Sequence, residues 1–238
     1  MREEFEEEYN GDKESSVQRF EEMIRNQDEY FFEPDAFENI IDYYFEKLDP
    51  VRALQVVKYA ISQYPFDATF LIKKAQILIN TTDYPTALEV LAKAEILEPS
   101  NTEVYVLKGD AYTHLGCHNE AINCYNTALP LSEEKDEIYL CIATVCQNQG
   151  NYERAIELLK KSLNENSDND EVLYEIAYCY DLINKPEESI LFYEQFIDKE
   201  PYSYAAWYNL GNVYNKLEQY EKALMAYELT AYEPLKRE

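Results

Sequence analysis

The feature that most constrains this sequence is a small residue that recurs every 34 residues. The spacing holds from residue 53 to residue 223 without an insertion or a deletion. Five of the positions hold alanine and one holds serine: Ala53, Ala87, Ala121, Ala155, Ser189 and Ala223. Because a fixed step of roughly 20–50 residues is typical of repeat architectures, the chain is predicted to be an array of similar units.

Bulky residues keep the same step. Four residues after each small residue stand Val57, Leu91, Tyr125, Leu159, Tyr193 and Tyr227. Earlier in each unit, an aromatic or aliphatic residue opens a first helix: Phe37, Leu71, Tyr105, Tyr139, Leu173 and Trp207. A further apolar set follows each of these seven residues later: Tyr44, Leu78, Tyr112, Cys146, Tyr180 and Tyr214. Spacings of four and seven place side chains on one helix face, so each unit is predicted to be a pair of helices.

The last unit carries the most complete pattern, WYNLGNVYNKLEQYEKALMAY over residues 207–227. It matches the spacing W-x2-L-G-x2-Y…A-x3-F of tetratricopeptide repeats at Trp207, Leu210, Gly211, Tyr214, Ala223 and Tyr227. The chain therefore resembles the tetratricopeptide repeat family, which implies an all-α fold, a right-handed superhelical solenoid of antiparallel helix pairs. Six repeats are expected at residues 34–67, 68–101, 102–135, 136–169, 170–203 and 204–237.

Residues 1–33 precede the repeats and form an acidic N-terminal segment. Val17, Phe20 and Ile24 recur at helical spacing, which predicts a capping helix at about residues 15–28. Residues 1–14 are rich in glutamate and are expected to be frayed or solvated.

Polar residues and prolines mark the predicted helix starts. N-caps are expected at Asp49, Asp67, Asp83, Asn101, Asn151, Asn169 and Ser203, and Asp136 is expected to take this role in repeat four. Pro50, Pro85 and Pro186 fall in first turns, where a missing N–H costs little. Gly116 and Gly150 end first helices, where a left-handed residue is favoured. We also expect an irregular junction between repeats three and four, and note that Lys74 and Lys108 replace the family's usual leucine.

The net charge of −26 bears on the partners of the chain. Nucleic acid and anionic membrane surfaces both require lysine and arginine, so neither is expected as a partner. The five cysteines lack zinc-ribbon or thioredoxin spacing and are interpreted as reduced core residues. The N-terminus is acidic, whereas a signal peptide needs basic and apolar residues. Together with the reduced cysteines, this predicts a cytoplasmic protein; a secreted mature chain lacking its signal is the alternative.

The family resemblance implies a concave groove that holds a peptide or protein partner. Groove positions fall at residues 2, 5, 9, 12 and 13 of each repeat, and include Ile72 and Gln76 in repeat two. The residues predicted to carry binding are Val106, Asp110, Leu140, Thr144, Gln147, Tyr174, Tyr178, Tyr208, Asn212 and Asn215. Lys216 is the only basic residue at these positions, so the groove is expected to bind basic and apolar segments rather than acidic tails.

Two further patterns bear on function. His114, Cys117, His118 and Cys124 lie close in sequence, but their spacing fits no zinc site, so neither a metal nor another cofactor is predicted. The sequence contains no phosphate-binding glycine loop, nucleophile elbow or HExxH motif, so the chain is predicted to be a non-catalytic scaffold rather than an enzyme.

The last predicted helix leads to an alternative. It is apolar at Leu224, Met225, Leu229, Ala231 and Tyr232, and the residues after it are too polar to cover it. Terminal repeats normally have a polar outer face. We therefore expect either that the parent protein continues or that this helix packs on another chain, which would make the protein a self-associating assembly subunit.

Overall fold

A computed structural model describes the backbone of residues 2–230 and the side chains of residues 14–230. This part of the chain contains thirteen helices and no strand. The helices are α1 Arg2–Asn26, α2 Pro34–Glu46, α3 Pro50–Gln63, α4 Ala68–Asn80, α5 Tyr84–Leu97, α6 Thr102–His114, α7 His118–Ala128, α8 Lys135–Asn148, α9 Tyr152–Glu165, α10 Asp170–Leu182, α11 Pro186–Lys199, α12 Tyr204–Lys216 and α13 Tyr220–Leu229. The predicted all-α fold is confirmed.

The chain divides into two compact units, one ending at Gly116 and one beginning at Cys117. In the first unit, α1 to α6 pack in order, each helix against the next. In the second unit, α7 to α13 do the same. Within each unit, short turns join the helices into the predicted antiparallel pairs. The division falls within the third predicted repeat. The junction of repeats three and four is irregular as expected, because residues 129–134 separate α7 from α8, whereas the shorter segments 166–169 and 200–203 separate the other repeats of this unit.

Within each unit, the recurring small residues lie where the two helices of a pair approach each other. Ala53, Ala87, Ala121 and Ala155 have no accessible surface, and neither does Ser189. Alanine buries no polar atom at such a position, whereas a buried hydroxyl needs a partner. The Ser189 hydroxyl meets this need by donating to the carbonyl oxygen of Ala177 at 2.9 Å.

Most of the predicted helix starts are confirmed. The side chains of six predicted caps accept backbone N–H groups of the first turn: Asp49, Asp67, Asp83, Asn101, Asn151 and Ser203. Asn169 occupies the cap position of α10 but its side chain makes no cap hydrogen bond. The prediction for Asp136 is wrong, because the cap lies two residues earlier, at Glu134, and α8 begins at Lys135. Asp136 instead joins α8 to α9, since its carbonyl oxygen accepts from the Ser162 hydroxyl.

The predicted left-handed residues after first helices are also found. Gly116 has φ +71° and Gly150 has φ +73°. These angles suit glycine because it has no Cβ to collide with the neighbouring carbonyl.

The N-terminal helix differs from its prediction at both ends. α1 begins at Arg2 rather than near residue 15, and it ends at Asn26. Phe20 is buried and meets Phe32 edge-to-face, with ring centroids 6.1 Å apart. At the other end of the chain, Ala231 and Tyr232 lie outside the described residues. No described helix is both long and apolar enough to cross a membrane.

Candidate functional site

Eight of the ten predicted binding residues lie in the second unit, on three successive first helices. We call them the tyrosine–amide face: Leu140, Thr144 and Gln147 on α8, Tyr174 and Tyr178 on α10, and Tyr208, Asn212 and Asn215 on α12. The remaining two, Val106 and Asp110, are half-buried on α6 in the first unit. The face is described from the second unit alone.

Gln147 links α8 to α10. Its side-chain amide donates to a carboxylate oxygen of Glu175 at 2.7 Å and to the sulfur of Cys179 at 3.2 Å. The amide nitrogen carries two N–H groups, and these two bonds use both of them. The side-chain oxygen of Gln147 is therefore the group that can bond to a partner. Burial raises the pKa of the Cys179 thiol to about 11, which keeps the sulfur protonated at neutral pH.

Tyr174 links α10 to α12 and is fixed from two directions. Its hydroxyl accepts a hydrogen bond from the Asn209 amide at 2.8 Å. Its ring packs against Tyr193 and Phe196 of α11, with centroid separations of 5.7 and 5.5 Å. The half-buried Tyr174 is therefore a rigid part of the tyrosine–amide face. Desolvation by burial raises the pKa of its hydroxyl.

Tyr178 and Tyr208 present aromatic surface to solvent. Their side chains are 41% and 46% exposed. The Tyr208 ring is held between Tyr204, stacked at 6.0 Å, and Tyr227 of α13 at 5.9 Å. Because Tyr208 is already packed on two rings, ordering it against a partner costs little conformational entropy.

The amide and hydroxyl groups of the face are partly used within the chain. Asn212 accepts a hydrogen bond from the Tyr227 hydroxyl at 2.9 Å, which leaves its NH2 group available. Thr144 donates to the carbonyl oxygen of Leu140 at 3.0 Å. Asn215 is exposed near the end of α12. The face therefore combines available hydrogen-bonding groups with the two exposed aromatic rings.

A close approach between α12 and α13 supports this end of the face. A Cβ added to the buried Gly211 would lie 2.5 Å from a ring carbon of Tyr227. Glycine therefore lets the Tyr227 ring lie flat on α12, where it reaches both Tyr208 and Asn212.

The charges of the face are mostly negative. Glu137 and Glu171 are exposed in the first turns of α8 and α10. Lys216 donates to both oxygens of Asp181 at 2.7 and 2.8 Å, so the one cation at the predicted positions is already paired. The exposed carboxylates therefore make the field above the face negative.

The sequence interpretation missed a residue position that joins neighbouring first helices in three of the repeats. Glu175 and Asn209 follow immediately after predicted groove positions, yet both bond to the preceding first helix of the second unit. Lys73 occupies the equivalent position in the first unit, where it pairs with Asp42 at 2.7 Å. The signal was a mostly polar set at the 34-residue step: Asn39, Lys73, Leu107, Cys141, Glu175 and Asn209.

One expectation for the first unit needs correction. Ile72, a predicted groove residue, is only 5% exposed and belongs to the hydrophobic core. Lys73 is not at a predicted groove position, but it places a cation beside Ile72, where it pairs with Asp42. Gln76 remains accessible enough to bond Glu103, the groove residue of the next repeat.

The sequence cluster of histidines and cysteines separates into different environments. The His114 ring stacks on Tyr84 at 4.9 Å with an interplanar angle of 8°. Cys117 and Cys124 are half-buried in the second unit. Among the residues described, no group of three or more His, Cys, Asp or Glu side chains has the arrangement of a metal site.

Comparisons with known protein families now identify the chain. Family models described as "Tetratricopeptide repeat" match residues 148–195 and 192–225, and one described as "TPR repeat" matches residues 109–150. The chain belongs to the tetratricopeptide repeat family. No curated protein sequence matches it significantly.

Solved structures support the same tetratricopeptide fold. The Pseudomonas aeruginosa pilF protein is 18% identical with a TM-score of 0.70, over 81% of this chain and 87% of that one. A tetratricopeptide repeat protein from Parabacteroides merdae is 22% identical with a TM-score of 0.67, over 83% of this chain and 80% of that one. YrrB, a TPR protein with an unusual peptide-binding site, is 23% identical with a TM-score of 0.59, over 73% of this chain and 90% of that one. At identities this low, the structural similarity shows a shared fold and nothing more specific.

Proposed function

We propose that this tetratricopeptide repeat protein is a non-catalytic scaffold that binds a basic and apolar segment of another protein on the tyrosine–amide face. The observation that carries the proposal is the pair of exposed tyrosines, Tyr178 and Tyr208, among carboxylates with little cationic compensation. The family membership supports protein binding, and YrrB offers a precedent for peptide binding on this fold.

The geometry suits a lysine or arginine followed by an apolar side chain. Tyrosine rings supply large contact area and attract cations through their faces, a contribution of about 0.5–2 kcal/mol for each well-placed cation. The exposed carboxylates of Glu137 and Glu171 add attraction at longer range. The oxygen of Gln147 and the NH2 of Asn212 can bond the backbone of an extended segment.

An acidic tail is a poor ligand for the same surface. Binding a carboxylate tightly requires charge-assisted donors, usually lysine or arginine. Lys216 is the cation at the predicted positions, and its pairing with Asp181 would have to be broken first. The proposal therefore includes selectivity for basic over acidic peptides. Cytoplasmic location and the exclusion of nucleic acid as a partner stay predictions.

Peptide selection tests the proposal directly. Random dodecapeptides displayed on phage are selected on the purified full chain, and enriched peptides are measured by fluorescence anisotropy. We expect enrichment of Lys or Arg next to apolar residues. Combining Tyr178→Ala with Tyr208→Ala should weaken binding at least tenfold, because each truncation removes aromatic contact.

The matched control is Tyr220→Ala on α13, which removes a more exposed tyrosine outside the face. This variant should bind normally, and circular dichroism should show that all variants are folded. The proposal would be refuted if the peptides that lose affinity in the double variant were acidic, or if the enriched basic peptides bound the folded double variant as tightly as the parent.

A second candidate function is self-assembly through α13. Leu224 and Met225 are 59% and 63% exposed on this helix, which is unusual for large apolar side chains. We expect light scattering to show a mass that rises with concentration, and Met225→Lys to return it to that of a monomer. A mass that stays monomeric at every concentration would rule out this candidate.

A further inference from the structure

A second concave site lies in the first unit, between α3, α4 and α5. It is a cavity of about 370 Å³ with Val90 and Leu71 in its lining. Phe66 and Ile96 also line it and are 84% and 80% exposed, although both are large apolar side chains. The cavity therefore offers an apolar anchor point that the chain itself leaves largely uncovered.

This cavity is distinct from the groove positions of the same repeat. Successive residues of an α-helix are rotated by about 100°, so Lys74 lies about 160° from both Ile72 and Gln76 around α4. Lys74 lines the cavity, whereas Gln76 bonds to Glu103 on the groove side. The two surfaces lie on opposite sides of the helix and do not share residues.

Two lysines give the cavity a charge that is unusual for this chain. Lys74 and Lys93 both line it, and neither lies within ion-pairing distance of a described carboxylate. Two neighbouring lysines behave differently, since Lys73 pairs with Asp42 and Lys108 pairs with Glu95. In a chain with a net charge of −26, two uncompensated cations beside one apolar cavity form a locally favourable place for an anion.

We propose that this cavity is a docking site for a segment of a partner protein that carries a bulky apolar side chain next to a carboxylate. The apolar side chain would fill the space bordered by Leu71, Val90 and Ile96, and the carboxylate would pair with Lys74 and Lys93. A cationic segment is disfavoured here because the lining offers it no carboxylate. The carboxylate can come from an acidic side chain or from a chain terminus, since both present the same group to a lysine.

A role for Lys74 in this cavity would explain why it departs from the family pattern. Lys74 stands where the family usually has leucine, which would close the cavity with apolar atoms. A lysine can lay its methylene groups along the apolar lining and hold its ammonium group at the rim. The position therefore supplies both part of the apolar wall and one of the two charges.

The test is a peptide selection on the full chain, with counter-selection on the Lys74→Glu/Lys93→Glu variant. We expect recovered peptides to combine Phe, Leu or Ile with Asp, Glu or a free C-terminal carboxylate. By anisotropy, the double variant should bind them at least tenfold more weakly. Remaking each peptide with an amidated end, or with Asn and Gln for Asp and Glu, shows which carboxylate is read.

Three controls make the result decisive. Lys58→Glu introduces the same charge change at an exposed residue of α3 outside the cavity and should leave affinity unchanged. Tyr178→Ala/Tyr208→Ala should also leave it unchanged, which separates this site from the proposed face of the second unit. Phe66→Ala/Ile96→Ala should weaken it without a change of charge. Recovery of no peptide that discriminates the folded lysine variant from the parent would overturn the proposal.

Discussion

A left-handed backbone conformation recurs in the turn between the two helices of each pair. Its φ is positive at six positions 34 residues apart: Leu48, Thr82, Gly116, Gly150, Asn184 and Glu218. Glycine reaches this region without penalty, whereas a residue with a Cβ pays about 1–2 kcal/mol. Asn184 also tolerates the region, so the helix-pair geometry holds three positions, Leu48, Thr82 and Glu218, against their local preference.

Thr82→Gly should stabilise the protein. Threonine is branched at Cβ, so its φ of 63° is especially unfavourable, and its side chain is exposed. We expect a gain of about 0.5–1 kcal/mol in the free energy of unfolding, because glycine's extra freedom in the unfolded chain offsets part of the relieved strain. Urea denaturation followed by circular dichroism measures the change.

The neighbouring residue supplies the control for this substitution. Thr81 has a negative φ, and its hydroxyl donates to the carbonyl oxygen of Ile77 at 3.0 Å. Thr81→Gly relieves no strain and removes that bond, so it should destabilise. If both glycine variants change stability in the same direction, strain at Thr82 is not what determines the effect.

At the scale of helix pairs, the buried small residue sets how closely two helices approach. Ala155 on α9 has no accessible surface. Ala155→Leu should lower the free energy of unfolding by roughly 1–3 kcal/mol, because a larger side chain overpacks the contact. Thermal unfolding of the variant measures this, with Glu157→Leu on the exposed side of the same helix as the control. Equal stability of Ala155→Leu and the parent would contradict the assigned repeat register.

The helix pairs could be predicted because their signals are periodic and local. Asp49, Asp83 and Asn151 cap second helices as the sequence indicated, since a cap depends only on the few residues that follow it. The prediction of a cap at Asp136 failed because α8 starts two residues earlier than that cap implies, at Lys135. Four of the six left-handed turn residues were missed because leucine, threonine and glutamate give no signal for that conformation and asparagine gives a weaker one than glycine.

The candidate site was harder to predict than the helices that carry it. Helical periodicity places Tyr174 and Tyr178 on one side of α10, but it does not say which tyrosine a neighbouring helix will engage. Tyr174 is held by Asn209 and Phe196, whereas Tyr178 is left exposed. Ile72 shows the same limit, since its position in the pattern matches a groove residue while its neighbours bury it.

At the scale of the whole molecule, buried acidic groups predict a loss of stability in alkali. Burial raises the pKa of Cys179 to about 11, and burial together with a hydrogen bond to Glu194 raises the pKa of Tyr214 to about 12. Their unfolded values are about 8.5 and 10. Because the folded state holds these protons more tightly, the contribution is complete below pH 8.5 and is lost as the pH rises to 12.

Melting temperatures measured from pH 8 to pH 12 test this expectation. Tyr214→Phe keeps the ring and removes the titrating hydroxyl, so its decline above pH 10 should be shallower than that of the parent. Tyr202→Phe removes an exposed hydroxyl in the same unit and should follow the parent curve. A Tyr214→Phe curve parallel to the parent would show that another group controls the alkaline transition.

The net charge of −26 makes salt a second variable that acts on the whole chain. Folding brings like charges together, and the resulting repulsion opposes the compact state. Salt weakens this repulsion because the Debye length falls from about 30 Å at 0.01 M to about 10 Å at 0.1 M. It also weakens surface ion pairs such as Lys199–Asp170, but each of these contributes only about 0–1 kcal/mol.

Repulsion should therefore dominate, and the melting temperature should rise as sodium chloride increases from 10 to 200 mM. A variant with three exposed glutamates changed to glutamine (Glu157, Glu165 and Glu200) carries less repulsion and should show a smaller rise. Because the substitutions preserve side-chain size, a difference between the two slopes reports charge rather than packing. A melting temperature that falls with salt would mean that the few ion pairs outweigh the excess of negative charge.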